Sequence, residues 1–362
     1  MHTFLIKPTN NCNLRCKYCF IDNNVKSTSK EMSIDLAYII VDKIASFLME
    51  SQCLKCEILW HGGEPLIWDI DNYKKIFAYI YDTYPNIEWC QSLQTNLTLL
   101  TLQHIELFKK YNVNLSTSID GYKELHNSTR ILSNGVGSFE TLYEKLQLVS
   151  SNKIRLGVIL VLNSKNISSL LNIYNFFKKH NQSFKINPLV KLGESKVNDD
   201  LCISVEDYAQ AMIRLFDYWI ADNNAVPIYN FIEYASSIYT SITSCCSLSE
   251  NCQEHITTIE PNGDIVACDR LCSQYNYGNI VNQTLSDIIE VKKKDFDQRK
   301  IELLRNECKD CEFWEVCKGG CPAESDTIHL NLSGRTIYCE AYKILFKHIK
   351  ETLKYKSTIK NV

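Results

Sequence analysis

Three cysteines near the start of the chain share one short stretch, Asn11-Cys12-Asn13-Leu14-Arg15-Cys16-Lys17-Tyr18-Cys19-Phe20. Thiolates spaced C-x3-C-x2-C can converge on three corners of an iron–sulfur cube, because soft sulfur ligands suit iron and a short loop can wrap the cluster. The fourth iron is then left open to a cofactor or substrate. Zinc would demand a fourth protein ligand close by, and the nearest candidates, Asp22 and His2, are poorly placed for it.

Spacing also sorts the remaining cysteines. The chain has 17, of which 11 fall into cluster-type groups. Cys53, Cys56, Cys90, Cys202, Cys245 and Cys272 are left over. Toward the C-terminus, Cys252 is followed after ten residues by Gly263 and after four more by Cys268. Then come Cys308-x2-Cys311-x5-Cys317-x3-Cys321 and, after a gap, Cys339. Zinc ribbons use pairs of C-x2-C steps, which this uneven comb matches badly. Cys53-x2-Cys56 has no partner pair and reads as two unliganded thiols, which pack as small apolar groups.

Other segments add polar groups. Trp60-His61-Gly62-Gly63-Glu64-Pro65 joins paired glycines, where the backbone can approach a ligand, to a carboxylate able to accept from an ammonium group. Gln94-Thr95-Asn96 and Ser118-Ile119-Asp120-Gly121 follow, with His126 and Arg130 beyond. Taken singly, each of these also suits an ordinary turn.

The elements that must position them alternate. Strands are expected at Thr3 to Lys7, Glu57 to Trp60, Gln91 to Thr95, Asn114 to Ile119, Arg155 to Leu162 and Phe184 to Asn187. Between them, helices are expected at Ser33 to Met49, Tyr73 to Tyr84, Leu102 to Tyr111, Phe139 to Ser150 and Ile167 to His180. Strands alternating with helices imply parallel pairing with right-handed crossovers, an α/β sheet that can curl into a partial barrel. Chemistry then belongs on loops at the carboxyl ends of the strands, where Cys12 to Cys19 fall. Val205 to Ala221 and Phe231 to Ser241 read as bridging helices. His255 to Glu260 and Ile265 to Ala267 read as a hairpin turning at Pro261-Asn262-Gly263-Asp264, and Tyr338 to Tyr355 as a final helix.

With 362 residues, the chain suits one large α/β domain and a smaller partner. Apolar content of 45% supplies a core, and a net charge of −3 gives no global field for nucleic acid. No stretch approaches the ~20 apolar residues of a membrane span, and no signal peptide is evident, so a cytoplasmic protein is expected. In that setting cysteines read as metal ligands rather than disulfides.

The cysteine triplet, with Tyr18 before its last member, resembles that of the radical S-adenosylmethionine (SAM) enzymes, and Gly62-Gly63-Glu64 resembles the segment that holds the amino group of SAM there. The resemblance implies that SAM occupies the open iron and is split to a 5′-deoxyadenosyl radical. The strand-end segments are similar to those of anaerobic sulfatase-maturing enzymes and related peptide maturases. That similarity implies SAM contacts at Tyr18, Gly63, Ser118, Arg130 and Leu189, with Gly62, Glu64 and Asn96 beside them. The C-terminal comb resembles the SPASM domain, which holds two auxiliary [4Fe-4S] clusters. Cys246, Cys252, Cys268 and Cys321 would bind one, and Cys308, Cys311, Cys317 and Cys339 the other, making three clusters with the first. Asp269 matches the aspartate that acts as general base in sulfatase maturases. The implied architecture is a partial (β/α)6 radical SAM barrel over 1–200, a helical bridge over 201–244 and a SPASM domain over 245–362.

The substrate divides the readings. His61 stands where sulfatase maturases usually carry glutamine, and Trp-His-Gly-Gly-Glu-Pro-Leu looks more like the cyclophane-forming peptide maturases. On that basis the sequence favours a maturase joining an aromatic ring to an unactivated Cβ of a ribosomally made precursor peptide. The alternative is a sulfatase maturase converting Cys or Ser to formylglycine, which the overall length and Cys268-Asp269 suit. A pure iron–sulfur electron carrier would have no use for an open iron. The expected partners are a precursor peptide or a sulfatase and a reducing donor such as flavodoxin or ferredoxin, with no nucleic acid and no membrane. A first strand beginning beside Met1 leaves no room ahead of it for a leader-binding domain.

Overall fold

The computed structural model describes residues 1–28, 30–243, 245–249, 252–271, 275–329 and 331–360, so Cys272 lies outside the described residues. All six expected barrel strands are present: β1 (His2–Thr9), β2 (Lys55–Gly62), β3 (Glu88–Gln94), β4 (Asn114–Ser118), β5 (Leu156–Leu162) and β6 (Lys185–Pro188). Each pairs in parallel with the next. Helices cover the outer face. In Ile34–Glu50, for example, Ser33 caps the N-terminus by accepting from the Leu36 N–H, and Ala37, Ile40, Val41, Ile44 and Leu48 are buried at helical spacing.

The C-terminal hairpin forms as its turn residues require, with β7 (Ile256–Ile259) and β8 (Asp264–Val266) antiparallel and Gly263 at φ +88°. A third strand, β9 (Asn276–Asn279), pairs with β8. The sheet does not stop at the barrel. Its order is β6-β5-β4-β3-β2-β1-β7-β8-β9, with β7 parallel to β1. β1 would otherwise be an open edge of the barrel sheet, and β7 satisfies its backbone groups.

Val205–Ala221 and Tyr229–Thr240 form the expected bridge and pack with the final helix, Cys339–Lys360. Aromatic contacts join them, Tyr208 to Tyr342 at 6.3 Å and Tyr234 to Phe346 at 5.3 Å between ring centroids. The helix Leu285–Arg305, 21 residues long, has no counterpart among the expected elements. Its buried face alternates Leu285, Ile288, Phe296 and Leu303 with Lys292 and Arg299, and these two cations break the apolar period that would reveal it. Among the described residues, no helix is long and apolar enough to cross a membrane.

Candidate active site

The cysteine loop leaves β1 and is strapped on both sides. Arg15 N–H donates to the Ile131 carbonyl at 2.7 Å and Lys17 N–H to the Thr129 carbonyl at 2.9 Å. Opposite, Glu194 N–H donates to the Cys19 carbonyl at 2.8 Å, and Asn198 Nδ2 to the Lys17 carbonyl at 2.9 Å. Gly193 makes that approach possible: it holds φ +53°, and a Cβ there would lie 2.4 Å from the Phe20 carbonyl oxygen. Sequence reasoning left this glycine unassigned.

The three thiols face a cavity of about 250 Å³ at the carboxyl ends of the strands. Tyr18, Gly62, Gly63 and Asn96 line it with them, as do Ser118, Arg130, Leu189 and Asp269. Burial pushes the Cys16 thiol up to about 11 against the pull of Arg130, and burial also raises Cys12, with Glu64 and Cys16 adding to it. Such thiols ionise readily only beside strong positive charge, which bound iron supplies. Three grouped thiols in one cavity fit a cluster with one open corner.

The glycine pair meets the chain itself. Cβ atoms would lie 2.2 Å from the Thr9 carbonyl oxygen at Gly62 and 2.1 Å from that of Asn11 at Gly63. The pair therefore seats the start of the cysteine loop while its outer edge lines the cavity. Glu64 is fully buried and is not among the residues that line the cavity. Its carboxylate accepts from Thr95 Oγ1 at 2.6 Å, Asn96 N–H at 2.7 Å and Leu66 N–H at 3.0 Å. Both oxygens tie the end of β2 to the end of β3, and burial pushes the carboxyl up to about 7.

Asp120 is the junction that sequence reasoning noted only as a polar strand end. Its Oδ2 accepts from Tyr18 OH, from Thr129 Oγ1 at 3.1 Å and from Arg130 Nε at 3.0 Å, while Oδ1 accepts from Val161 N–H at 3.1 Å. The Arg130 guanidinium lies 5.2 Å from the centre of the Tyr18 ring, and its Nη1 is 3.9 Å from Cys16 Sγ. One buried carboxylate thus joins the cysteine loop, β4 and β5. Asn96 holds the other flank of the loop, donating to Asn13 Oδ1 at 2.9 Å.

Asp269 reaches the same cavity from the C-terminal segment, and His61 and Arg270 line it too. Burial opposes its ionisation, but positive charge on His61, Arg270 and Lys7 holds the carboxyl below its ordinary value. Burial lowers His61 in turn, and the Asp269 carboxylate opposes that shift. His61 Nδ1 lies 2.7 Å from the Gly62 nitrogen and 3.2 Å from the Gly62 carbonyl oxygen.

The eight remaining expected ligands fall into two neighbourhoods. Burial raises Cys321, and Cys246 and Cys252 are among its charge neighbours, while Cys321 is in turn a neighbour of Cys268. Burial pushes Cys317 up to about 12, with Cys339, Cys308 and Cys311 around it. Cys245, beside Cys246, is buried in the core with Lys185 Nζ donating to its sulfur at 3.4 Å. Among the described residues, no three His, Cys, Asp or Glu side chains are arranged for a single metal ion.

Residues 6–177 match the Radical SAM superfamily and residues 245–312 the SPASM iron–sulfur cluster-binding domain. The chain is 28% identical to the cysteine-type anaerobic sulfatase-maturating enzyme of Clostridium novyi, covering 98% of each. It is also 28% identical to the serine-type enzyme of Bacteroides thetaiotaomicron, over 95% of this chain and 88% of that one. The solved structure of native anSMEcpe with bound AdoMet superimposes with a TM-score of 0.86 at 25% identity, covering 98% of this chain and 99% of that one. With AdoMet and the Cp18Cys peptide bound, the same protein superimposes at 0.84, covering 99% of each chain. The chain is a radical SAM enzyme whose barrel continues into a SPASM iron–sulfur cluster-binding domain.

Proposed function

We propose that the enzyme matures a sulfatase, oxidising a Cys or Ser side chain of that protein to formylglycine. The observation that carries this reading is Asp269, delivered by the C-terminal segment into the cavity that the three-cysteine loop and the strand ends enclose. Likeness to sulfatase maturases along nearly the whole chain supports it over the cross-linking maturase that His61 suggested.

Cys12, Cys16 and Cys19 would hold one [4Fe-4S] cluster, with the two SPASM sets holding one each. Tyr18, Gly62, Gly63, Asn96, Ser118, Arg130 and Leu189 would surround SAM, in a division of the chain into barrel (1–200), bridge (201–244) and SPASM domain (245–362). When bound, SAM and its cluster supply the radical that removes one hydrogen atom from the substrate Cβ. The protein then has to take one proton and one electron more. Asp269, held below its ordinary carboxylate range by the positive groups around it, accepts the proton from the substrate thiol or hydroxyl. For Ser the aldehyde results directly, and for Cys the thioaldehyde exchanges sulfur for water oxygen and releases hydrogen sulfide. The SPASM cysteines would hold the groups able to accept that electron, and a reducing donor such as flavodoxin or ferredoxin would supply the electron for the next turnover.

The test is anaerobic mass spectrometry after incubation with Cys-type and Ser-type sulfatase peptides, trapping aldehyde with a hydrazide. Formylglycine in either peptide is expected. Loss of two hydrogens as a ring-to-Cβ bond in an aromatic-rich precursor, with no aldehyde in either peptide, would overturn the reading.

A further inference from the structure

Arg299 sits on the buried face of the helix Leu285–Arg305 and is 3% exposed. Its Nε donates to the Leu332 carbonyl at 2.8 Å, and its Nη2 faces the carbonyls of Gly320 at 3.0 Å, Gly334 at 3.1 Å and Gly319 at 3.3 Å. All four acceptors are neutral, so these bonds orient the charge without cancelling it. Gly319 and Gly320 form most of the short step between Cys317 of one set and Cys321 of the other. Both hold positive φ, +83° and +75°, which turns their carbonyls toward one guanidinium.

The thiols around Arg299 come from both sets, Cys252 and Cys321 from one and Cys308 and Cys317 from the other. Neighbouring cations are placed differently. Lys292, on the same helix face, lies toward Cys252 and Cys268. Arg335 donates to Cys339 Sγ at 3.1 Å. The guanidinium stays protonated, so position 299 carries a permanent charge.

We propose that Arg299 is a positioning residue shared by the two SPASM sites: it fixes the step from Cys317 to Cys321 and places one positive charge between two anionic clusters. Cluster potentials follow net charge and local polarity, so a cation between the sites favours the reduced form of each. The substrate's electron is then easier to accept at either site. This rests on assigning the two four-cysteine sets to two clusters, which metal content tests separately.

The experiment uses the full chain with Cys12, Cys16 and Cys19 changed to Ala, so that only the SPASM signals remain. Iron and sulfide are counted, and both midpoint potentials are read by EPR-monitored redox titration, for this parent and for Arg299→Met, Arg299→Lys and Arg335→Met. The parent should hold about eight irons; a parent that holds fewer refutes the two-cluster assignment and the proposal with it. In Arg299→Met both midpoints should fall by at least a factor of ten in the reduction equilibrium, about 59 mV for one electron. Arg299→Lys should restore most of the shift, and Arg335→Met should move chiefly the midpoint of the Cys339 set. Unchanged midpoints in Arg299→Met at full iron, or movement of one midpoint alone, would overturn the proposal. If Arg299→Met does not retain iron, Arg299→Lys decides: parental midpoints support a charge role, and iron loss in that variant too reduces Arg299 to a structural strut.

Discussion

Lys7 and Glu260 form a buried ion pair across the junction of β1 and β7, with Nζ 2.6 Å from Oε1. Asn10 Nδ2 donates to the other carboxylate oxygen at 2.7 Å, and Lys7 Nζ also reaches the Asp269 carbonyl at 3.4 Å. The barrel's first strand thereby fixes the backbone of the proposed base. Lys7→Met should destabilise the protein by roughly 3–5 kcal/mol, because it leaves Glu260 buried beside an apolar group. Adding Glu260→Leu should recover most of that loss. Denaturant unfolding of both variants checks it, and equal stability of the single and double variants would refute the pairing argument.

Asp120→Asn should loosen Tyr18 and Arg130 together, since one carboxylate oxygen accepts from both. Charge-assisted bonds are the strong ones, so SAM affinity should fall at least tenfold, about 1.4 kcal/mol. Calorimetric titration of SAM into the reconstituted enzyme measures it; affinity within twofold of the parent would place Asp120 outside the binding geometry.

Gly193→Ala forces a side chain onto the Phe20 and Cys19 carbonyls, at 2.4 and 2.5 Å. The cysteine loop must move. Iron assigned to the barrel cluster should be lost while SPASM iron stays, as read by metal analysis beside a Cys12→Ala control. Full iron content in the variant would show that the loop tolerates the shift.

Acid should destabilise the fold through two buried histidines. Burial lowers His104 and His126 to about 4, so the folded state keeps both neutral. Between pH 6.5 and 4 the unfolded chain binds more protons, and stability therefore rises with pH through that window. By pH 5 the two should cost about 2 kcal/mol each relative to pH 7. Unfolding midpoints at the two pH values test this, and His104→Gln should flatten part of the slope.

Asp269→Ala should abolish formylglycine while 5′-deoxyadenosine still accumulates, because the residue takes a proton only after hydrogen abstraction. Product and 5′-deoxyadenosine are quantified in one chromatogram. Formylglycine at parental yield would remove Asp269 from the mechanism.

The cysteine groupings and the alternating strands were legible in the sequence for a physical reason. Thiol spacing on a loop and apolar period along a strand are both local properties of the chain. Other features became visible only in three dimensions. β7 joins β1 from more than two hundred residues away, and nothing in Ile256–Ile259 announces which edge it completes. Glu64 looked like a ligand for an ammonium group because its neighbours are glycines, yet its oxygens are taken by the end of β3. Asp120, Lys7 and Gly193 act through partners far along the chain, so their types alone said little. Arg299 shows the limit most clearly, because a cation in the buried stripe hid the helix that carries it. Local chemistry picked out the thiols and the polar strand ends, whereas long-range packing decided which charges and carbonyls surround them, since burial and partner choice exist only once the chain has folded.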